Sequence, residues 1–502
     1  MKRKIASKTF IVLLALALAL SSLALGAMAN DEQSSIQSNS SSEQALLVVF
    51  NQESLPSNYA EMVEQAGGTV TYEVPQIGVI EVATQNPASF IRAMRNQSNV
   101  LSIGPSTSVT LDLPELEVAN EEADSSLGPV PVDSSIWESG YQWDIEQVTN
   151  GGASHDIAKE ARKDVVVAVI DTGFDFNHPD LRDNVDEAGS KTFVPGTEDS
   201  WDAHSHGTHV AGTIGADGRM KGVAPGVTLR SYRVFNTGSA QQIWITNAII
   251  AAADDGVDVI NMSLGGTRLR GQWFFTDPET GEKIRGGNNA ADYVAYTRAI
   301  RYAINKNVTV VASAGNSAQD LSNPSKVTDW HNAGRNDGWE AKGALVFVPA
   351  QVPGVITVSA TGAGFGTENR LAFYSNYGNG AINLGAPGGD LGPDRQGGSK
   401  FLVLSAVPTY MNFNTGRGPE ALATFGPGYG WKGGTSMAAP QVSGAAAAYI
   451  AKVLAETGKK PTPSQVQAQL QQTAEDAGKS GYDEIYGHGI VNAYNALMNI
   501  KR

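Results

Sequence analysis

Three stretches hold residues whose types and spacing suit chemistry. In "VIDTGFDFNHPDL", Asp171 ends an apolar, β-branched run. A carboxylate among such neighbours is costly unless it is hydrogen-bonded or faces a cation or imidazolium, while the plainer reading is a turn aspartate capping its own backbone. In "WDAHSHGTHVAGTIGAD", His206 is a candidate base, Ser205 is placed to cap a helix beginning near His206, and the glycines allow close backbone approach. In "GGTSMAAPQVSGAAAAYIAKVL", Ser436 follows two glycines at the start of a long helix. Unpaired amides and the positive end of the helix dipole suit a developing negative charge there. A hydroxyl, an imidazole and a carboxylate together form an activated nucleophile.

Other chemistries fit these stretches less well. His204, His206 and His209 form an H-x-H-x-x-H pattern that resembles the zinc cluster of metallo-β-lactamase-like hydrolases. Thr208 stands where those enzymes usually carry an aspartate, and only His331 and His488 remain downstream as further imidazole ligands. A structural histidine is the bland alternative. "GTSMA" is not the G-x-S-x-G elbow of α/β-hydrolases, and "GYGWKGGTS" lacks the ending of a phosphate-binding loop.

The elements that must position these residues alternate in type. "DVVVAVI", "VTLRSYRVF", "VDVINMS", "NVTVVAS" and "GVITVSA" read as buried strands, separated by helical patterns such as "TNAIIAAADDG" and "ADYVAYTRAIRYAINKN". The predicted class is α/β, a parallel sheet covered by helices on both faces. Ligands in such folds bind beyond the carboxyl ends of the strands, where Asp171, Ser263 to Gly266 and Asn316 fall. Upstream, "LLVVF", "GTVTYEV", "IGVIEVA" and "VLSIGPS" interleave with two helical patterns in the order βαββαβ, a small ferredoxin-like α+β domain.

The order Asp, then His about 35 residues later, then a distant Ser is that of the subtilisin triad. "VAVIDTG", "HGTHVAGT", "INMSLGG", "ASAGN" and "GTSMAAP", in this order, resemble the subtilisin family of serine endopeptidases over most of residues 140–500. The resemblance implies that Ser436 is the nucleophile, His206 the general base and acid, and Asp171 the group that orients His206. It further implies an oxyanion hole from the Asn316 amide and the Ser436 N–H. Ser263, Leu264, Gly265 and Gly266 are expected to pair with the substrate backbone and form one wall of the first specificity pocket, with Ala312, Ser313, Ala314 and Gly315 opposite.

Departures from that family matter for specificity. Ser317 replaces the glutamate several members carry after the asparagine, so attraction of basic side chains there loses support, and Gln242 takes a rim position that is often aromatic. The loop "ADGRMK" is shorter than the family's calcium-binding loop, leaving Asp180 as a candidate ligand of structural calcium. Catalysis itself needs no cofactor. Two insertions, "TRLRGQWFFTDPETGEKIRGGNN" and "SAQDLSNPSKVTDWHNAGRNDGWEAKG", follow Gly266 and Asn316, and are read equally as substrate contacts through Trp273, Phe274 and Phe275 or as plain surface hairpins.

The 502-residue chain has a formal net charge of -15 and is acidic on both sides of residue 130, which disfavours nucleic acid as a partner. It contains no cysteine, which excludes disulfides and lipid attachment through a thiol. The expected organisation is a signal peptide at 1–29, with its basic start and short apolar run, then a polar spacer at 30–44. An inhibitor-like propeptide at 45–106, an acidic linker at 107–132 holding the maturation site, and a peptidase domain at 133–502 follow, with no wall anchor after it. The expected protein is a secreted, monomeric, self-processing endopeptidase acting on proteins or peptides, held by its own propeptide and free of stable membrane association. A dedicated maturation protease, such as a lantibiotic leader peptidase, and an inactive peptide-binding protein on this fold are the alternatives.

Overall fold

The computed structural model describes residues 43–114, 130–236, 238–325, 328, 337–363, 370–393, 398–411 and 425–501. The chain divides into units 1–43 and 44–502. The expected signal peptide, nearly all of the polar spacer and linker residues 115–129 lie outside the described residues. No helix among the described residues is long and apolar enough to cross a membrane.

The first strands and helices are β1 (Gln44–Phe50), α1 (Tyr59–Gln65), β2 (Thr69–Val74), β3 (Val79–Thr84), α2 (Pro87–Arg95) and β4 (Val100–Pro105). They build a four-stranded antiparallel sheet in the order β2-β3-β1-β4, the βαββαβ module read from the sequence. Asn86 caps α2 by accepting from Ser89 N–H, with Pro87 at the first helical position, where its missing donor costs least.

The following elements are β5 (Ser108–Thr110), β6 (Val166–Asp171), β7 (Lys191–Thr192), α3 (His206–Gly215), β8 (Thr228–Arg233), β9 (Ser239–Gln241), α4 (Gln242–Asp254), β10 (Val259–Met262), β11 (Gly266–Thr276) and β12 (Lys283–Arg285). Beyond them come α5 (Ala291–Asn305), β13 (Thr309–Ser313), β14 (Trp339–Val348), β15 (Val355–Gly362), β16 (Arg370–Leu371), β17 (Leu384–Pro387) and α6 (Thr435–Thr457). The central sheet runs β16-β15-β13-β10-β6-β8-β7, with β17 also on β15, and all its pairings are parallel except β15 with β16.

Period-two alternation decides which face each strand residue covers. Val167 and Val169 of β6 join the core beneath α3 and α6, whereas Ala168 and Ile170 join the core beneath α4 and α5. Each buried valine or isoleucine contributes about 1.5–3 kcal/mol of transfer free energy, so both faces hold the sheet firmly. Alanines and Gly444 on α6 let that helix lie close to the strands, and 16 of its residues from Thr435 to Ala451 are buried.

The two insertions pair with one another. β11 runs antiparallel to β14 from Gly266↔Val348 to Phe275↔Trp339, and β12 adds a third strand. Leu269, Trp273, Phe275, Ile284 and Trp339 of this sheet share one core with Val48, Phe50, Phe90 and Met94 of the N-terminal module. Arg92 bridges to Asp277 at 2.7 Å, and its guanidinium holds the Asp277 carboxyl down to about 2. Arg298 on α5 donates to the carbonyls of Ile77 (2.8 Å) and Asn51 (3.1 Å). Trp273 and Phe275 therefore pack under the module, while Phe274 faces away, with Lys342 over its ring at 4.8 Å.

Candidate active site

β6 ends at Asp171, α3 begins at His206 and α6 carries Ser436 in its first turn, so three separate elements converge on one point beyond the sheet. His206 Nδ1 lies 2.8 Å from Asp171 Oδ1 and 3.0 Å from Oδ2, with both side chains buried. A carboxylate can only accept, so this contact places the proton on Nδ1 and leaves Nε2 as the basic nitrogen. Thr172 N–H donates to Asp171 Oδ1 at 2.8 Å and fixes the carboxylate. A Cβ at Gly207 would fall 2.3 Å from the Gly173 carbonyl, so only glycine lets α3 start this close to the aspartate.

Ser205 does not cap α3. Its φ is 85° and its hydroxyl accepts from Lys432 Nζ at 3.0 Å. Asp202 performs the cap instead, accepting from Ser205 N–H (2.8 Å), Thr208 N–H (2.9 Å) and the Thr172 hydroxyl (2.8 Å). The carboxylate is better placed than the serine because it reaches several first-turn donors at once and complements the positive helix end.

Ser436 Oγ donates to the Ser263 carbonyl at 3.1 Å, and His206 Nε2 has no partner among the described residues. The Ser436 hydroxyl is thus turned away from His206 Nε2. Pro440 is the sixth residue of α6, and its missing N–H leaves the Ser436 carbonyl free; Ser263 Oγ fills that place at 2.8 Å.

Asn316 accepts on Oδ1 from Thr435 N–H and Thr435 Oγ, both at 2.8 Å, which turns its Nδ2 into the cleft. There Nδ2 donates to the main-chain carbonyl of Asp112. The chain leading to Asp112 is extended: β5 pairs with β9 through Val109↔Ala240, and Leu111 N–H donates to the Gly238 carbonyl at 3.0 Å. Residues 108–110, expected within an exposed linker, therefore lie in the cleft as an added strand, and the chain turns at Asp112, where Leu113 N–H donates to the Leu111 carbonyl at 3.1 Å. Pro114 Cδ lies only 3.5 Å from where a Cβ on Gly434 would stand, ordinary contact distance, so this segment runs alongside the start of α6. Burial pushes the Asp112 carboxyl up, and its Oδ2 accepts from Asn316 N–H at 2.8 Å.

The strand pairing falls on Ser239–Gln241 rather than on the Ser263–Gly266 wall. Gly265 and Gly266 line the same cleft as Val109 and Asp112, while Leu264, Ala312, Ser313 and Ala314 are buried. Gly315 donates its N–H to Thr435 Oγ at 3.1 Å. Gln242 is not an open rim residue: its N–H donates to the Thr107 carbonyl (2.9 Å), and its Oε1 accepts from Arg268 Nε (2.7 Å) and the Thr107 hydroxyl (2.9 Å). Arg268, on the first insertion, also reaches the Ser108 carbonyl at 3.3 Å.

His209 points elsewhere, with Nε2 3.1 Å from the Val403 carbonyl, and burial holds it well below the usual histidine range. Burial lowers His204 as well. Among the described residues no group of three or more histidines, aspartates and glutamates converges as a metal cage. Asp180, the candidate calcium ligand, accepts from Arg219 N–H (2.9 Å), Met220 N–H (3.2 Å) and the Tyr429 hydroxyl (3.0 Å). It ties down the short "ADGRMK" loop.

The family model of the subtilase family matches residues 162–489. The chain belongs to the subtilase family. It is accordingly a serine protease, a hydrolase working through an Asp-His-Ser triad. It is 28% identical to the epidermin leader peptide-processing serine protease of Staphylococcus epidermidis over 88% of this chain and 90% of that protein. It is 32% identical to the nisin leader peptide-processing serine protease of Lactococcus lactis over 63% of this chain, spanning 44% of that relative. The crystal structure of the epidermin leader peptide processing protease from Staphylococcus aureus superposes with a TM-score of 0.67 at 27% identity, covering 91% of this chain and 98% of that one.

The sequence reading missed Asp112, Asp202 and Thr435 as parts of this subtilase site. Thr435 was within reach, because the "GTS" stretch sets a hydroxyl beside the nucleophile. Asp202 carried a weaker signal, an acidic residue shortly before a glycine-rich helix start.

Proposed function

We propose that this chain is a self-processing zymogen of an exported serine endopeptidase. In this reading Asp171, His206 and Ser436 form the triad, and Asn316 Nδ2 with the Ser436 N–H forms the oxyanion hole. The module Gln44–Pro105 is the intramolecular inhibitor, and the bond it delivers is Asp112–Leu113. The observation that carries the reading is the Asp112 carbonyl held by Asn316 Nδ2 while β5 pairs with β9. The basic, apolar N-terminal stretch supports export.

Reaction begins when Ser436 Oγ leaves the Ser263 carbonyl and rotates toward His206 Nε2. His206 takes the hydroxyl proton as Oγ attacks the Asp112 carbonyl carbon, and Asp171 stabilises the imidazolium. The oxyanion then gathers charge on donors already in place, which avoids reorganisation. Collapse breaks the Asp112–Leu113 bond and His206 protonates the departing Leu113 amine. Water, deprotonated by His206, releases the acyl group and restores Ser436. Protein and peptide substrates take the same course once the cleft is vacated.

A fluorophosphonate probe tests the assignment: it labels Ser436 in matured protein, and absence of that label overturns the reading. A second reading, dedicated processing of one precursor peptide, is favoured by the near full-length likeness to the epidermin leader protease. Digestion of a mixed proteome separates the two, since cleavage at many unrelated sites removes the dedicated reading.

A further inference from the structure

The first specificity pocket should open between the walls at Ser263–Gly266 and Ala312–Gly315. The ring of Phe347 already stands between them. A Cβ placed on Gly265 would meet Phe347 Cε1 at 2.4 Å, and one on Gly315 would meet Phe347 Cζ at 2.5 Å. One ring thus rests against the backbone of both walls, and its two glycine neighbours are what let it in. Phe347 is nearly fully buried and is fixed by the β11–β14 ladder, where it pairs with Thr267. Its N–H is also tied to Gln351 Oε1 at 2.8 Å, so the ring stands on anchored backbone.

Phe347 also lines a cavity of about 390 Å³ bounded by Thr267, Ser317, Gln319, Leu345, Gln351 and Asn376, none of them charged. Asp112 does not border that cavity; it shares with Phe347 and Ser317 the shallower cleft in front of the ring. The side chain of Asp112 does not run deep between the walls, because it folds back to accept from Asn316 N–H at 2.8 Å.

We propose that Phe347 floors the first specificity pocket and restricts cleavage to bonds after short side chains whose oxygen reaches the Asn316 N–H, aspartate and asparagine foremost. Long basic and aromatic side chains are refused because the ring fills their space, and among the described residues no carboxylate lines the cavity beyond it to receive a cation. The proposal rests on the reading that Asp112–Leu113 is the bond presented to Ser436. Its scope is wider, since it sets the choice of every later substrate.

The test uses matured enzyme and fluorogenic peptides Ser-Val-Thr-Leu-X, copied from residues 108–111, with X as Asp, Asn, Ala, Leu, Phe, Lys or Arg before the leaving group. Wild type should turn over Asp and Asn at least about tenfold faster in kcat/KM than Phe, Lys or Arg, the scale on which a filled pocket discriminates. In Phe347→Ala the cavity joins the pocket, and the Phe-to-Asp and Leu-to-Asp ratios of kcat/KM should rise about tenfold or more. Should Phe347→Ala fail to fold, Phe347→Val shortens the ring's reach while keeping a β-branched strand residue, and the same ratios should rise by a smaller factor. Wild-type cleavage after Phe or Arg as fast as after Asp overturns the proposal, as does an unchanged ratio in a folded variant. The two readings fail separately: N-terminal sequencing reports the maturation bond, whereas the X profile can be measured on active enzyme however it was matured.

Discussion

Ser436 and Ser263 exchange hydrogen bonds, Ser436 Oγ to the Ser263 carbonyl at 3.1 Å and Ser263 Oγ to the Ser436 carbonyl at 2.8 Å. The first parks the Ser436 hydroxyl; the second repairs the gap that Pro440 makes in α6. The catalytic helix is thereby pinned to the end of β10 at the residue whose side chain must move.

Removing the repair should weaken the fold. In a Ser436→Ala background, where the backbone carbonyl persists, Ser263→Ala leaves that buried carbonyl without its donor and should cost about 1–3 kcal/mol. Urea unfolding monitored by tryptophan fluorescence measures it; an unchanged midpoint would show that the carbonyl finds another donor.

Thr435 sets the direction of the Asn316 amide. Asn316→Ala should lower kcat about 10²–10³-fold, the range known for the side-chain oxyanion donor of a subtilisin. Thr435→Val keeps the N–H but loses the hydroxyl that donates to Asn316 Oδ1, and losing one hydrogen bond of about 1 kcal/mol should lower kcat roughly fivefold with little change in KM. Steady-state kinetics on one peptide separates these expectations from a binding effect, which would raise KM instead.

Much of the proposed site was legible because residues proposed to react recur at fixed places beyond the strand ends. Asp171, His206, Ser436 and Asn316 sit where a covered parallel sheet puts its ligands, and β-branched runs marked the strands that carry them. Hidden were relationships made by distance along the chain. Nothing local in "LDLPEL" says that Asp112 meets Asn316, 204 residues away. Nothing in the two insertions says that they pair with each other, because antiparallel partners are chosen by the tertiary context and not by propensity. Phe347 reads as an ordinary strand aromatic, and only glycines on both facing walls explain why it enters the pocket. Ser205 obeyed the helix-cap rule and lost to Asp202, whose longer reach serves more donors.

A buried carboxyl behind the catalytic helix gives the protein a pH signature. Asp144 donates nothing when ionised; it accepts from Gln441 Nε2 at 2.6 Å, and burial pushes its carboxyl up to about 7. The folded state therefore keeps a proton that the unfolded chain releases near pH 4, so this group's contribution is fully present below about pH 4 and is lost as pH rises to about 7. His155, lowered to about 4 by burial, acts oppositely between about pH 4 and 6.5, so the informative quantity is a difference between variants. In the Ser436→Ala background, Asp144→Asn should gain stability relative to its parent as pH rises from 4 to 7, read from urea midpoints. A constant difference across that window would contradict the assignment.

The Asp112 carbonyl on Asn316 makes the central claim directly measurable by Edman sequencing and intact mass of the purified precursor, incubated without added protease. The wild-type chain should yield a mature species beginning at Leu113, while Ser436→Ala should remain a precursor whose N-terminal module is still covalently attached. A mature species that begins elsewhere at the earliest time points, or correct processing of Ser436→Ala on its own, would contradict the account.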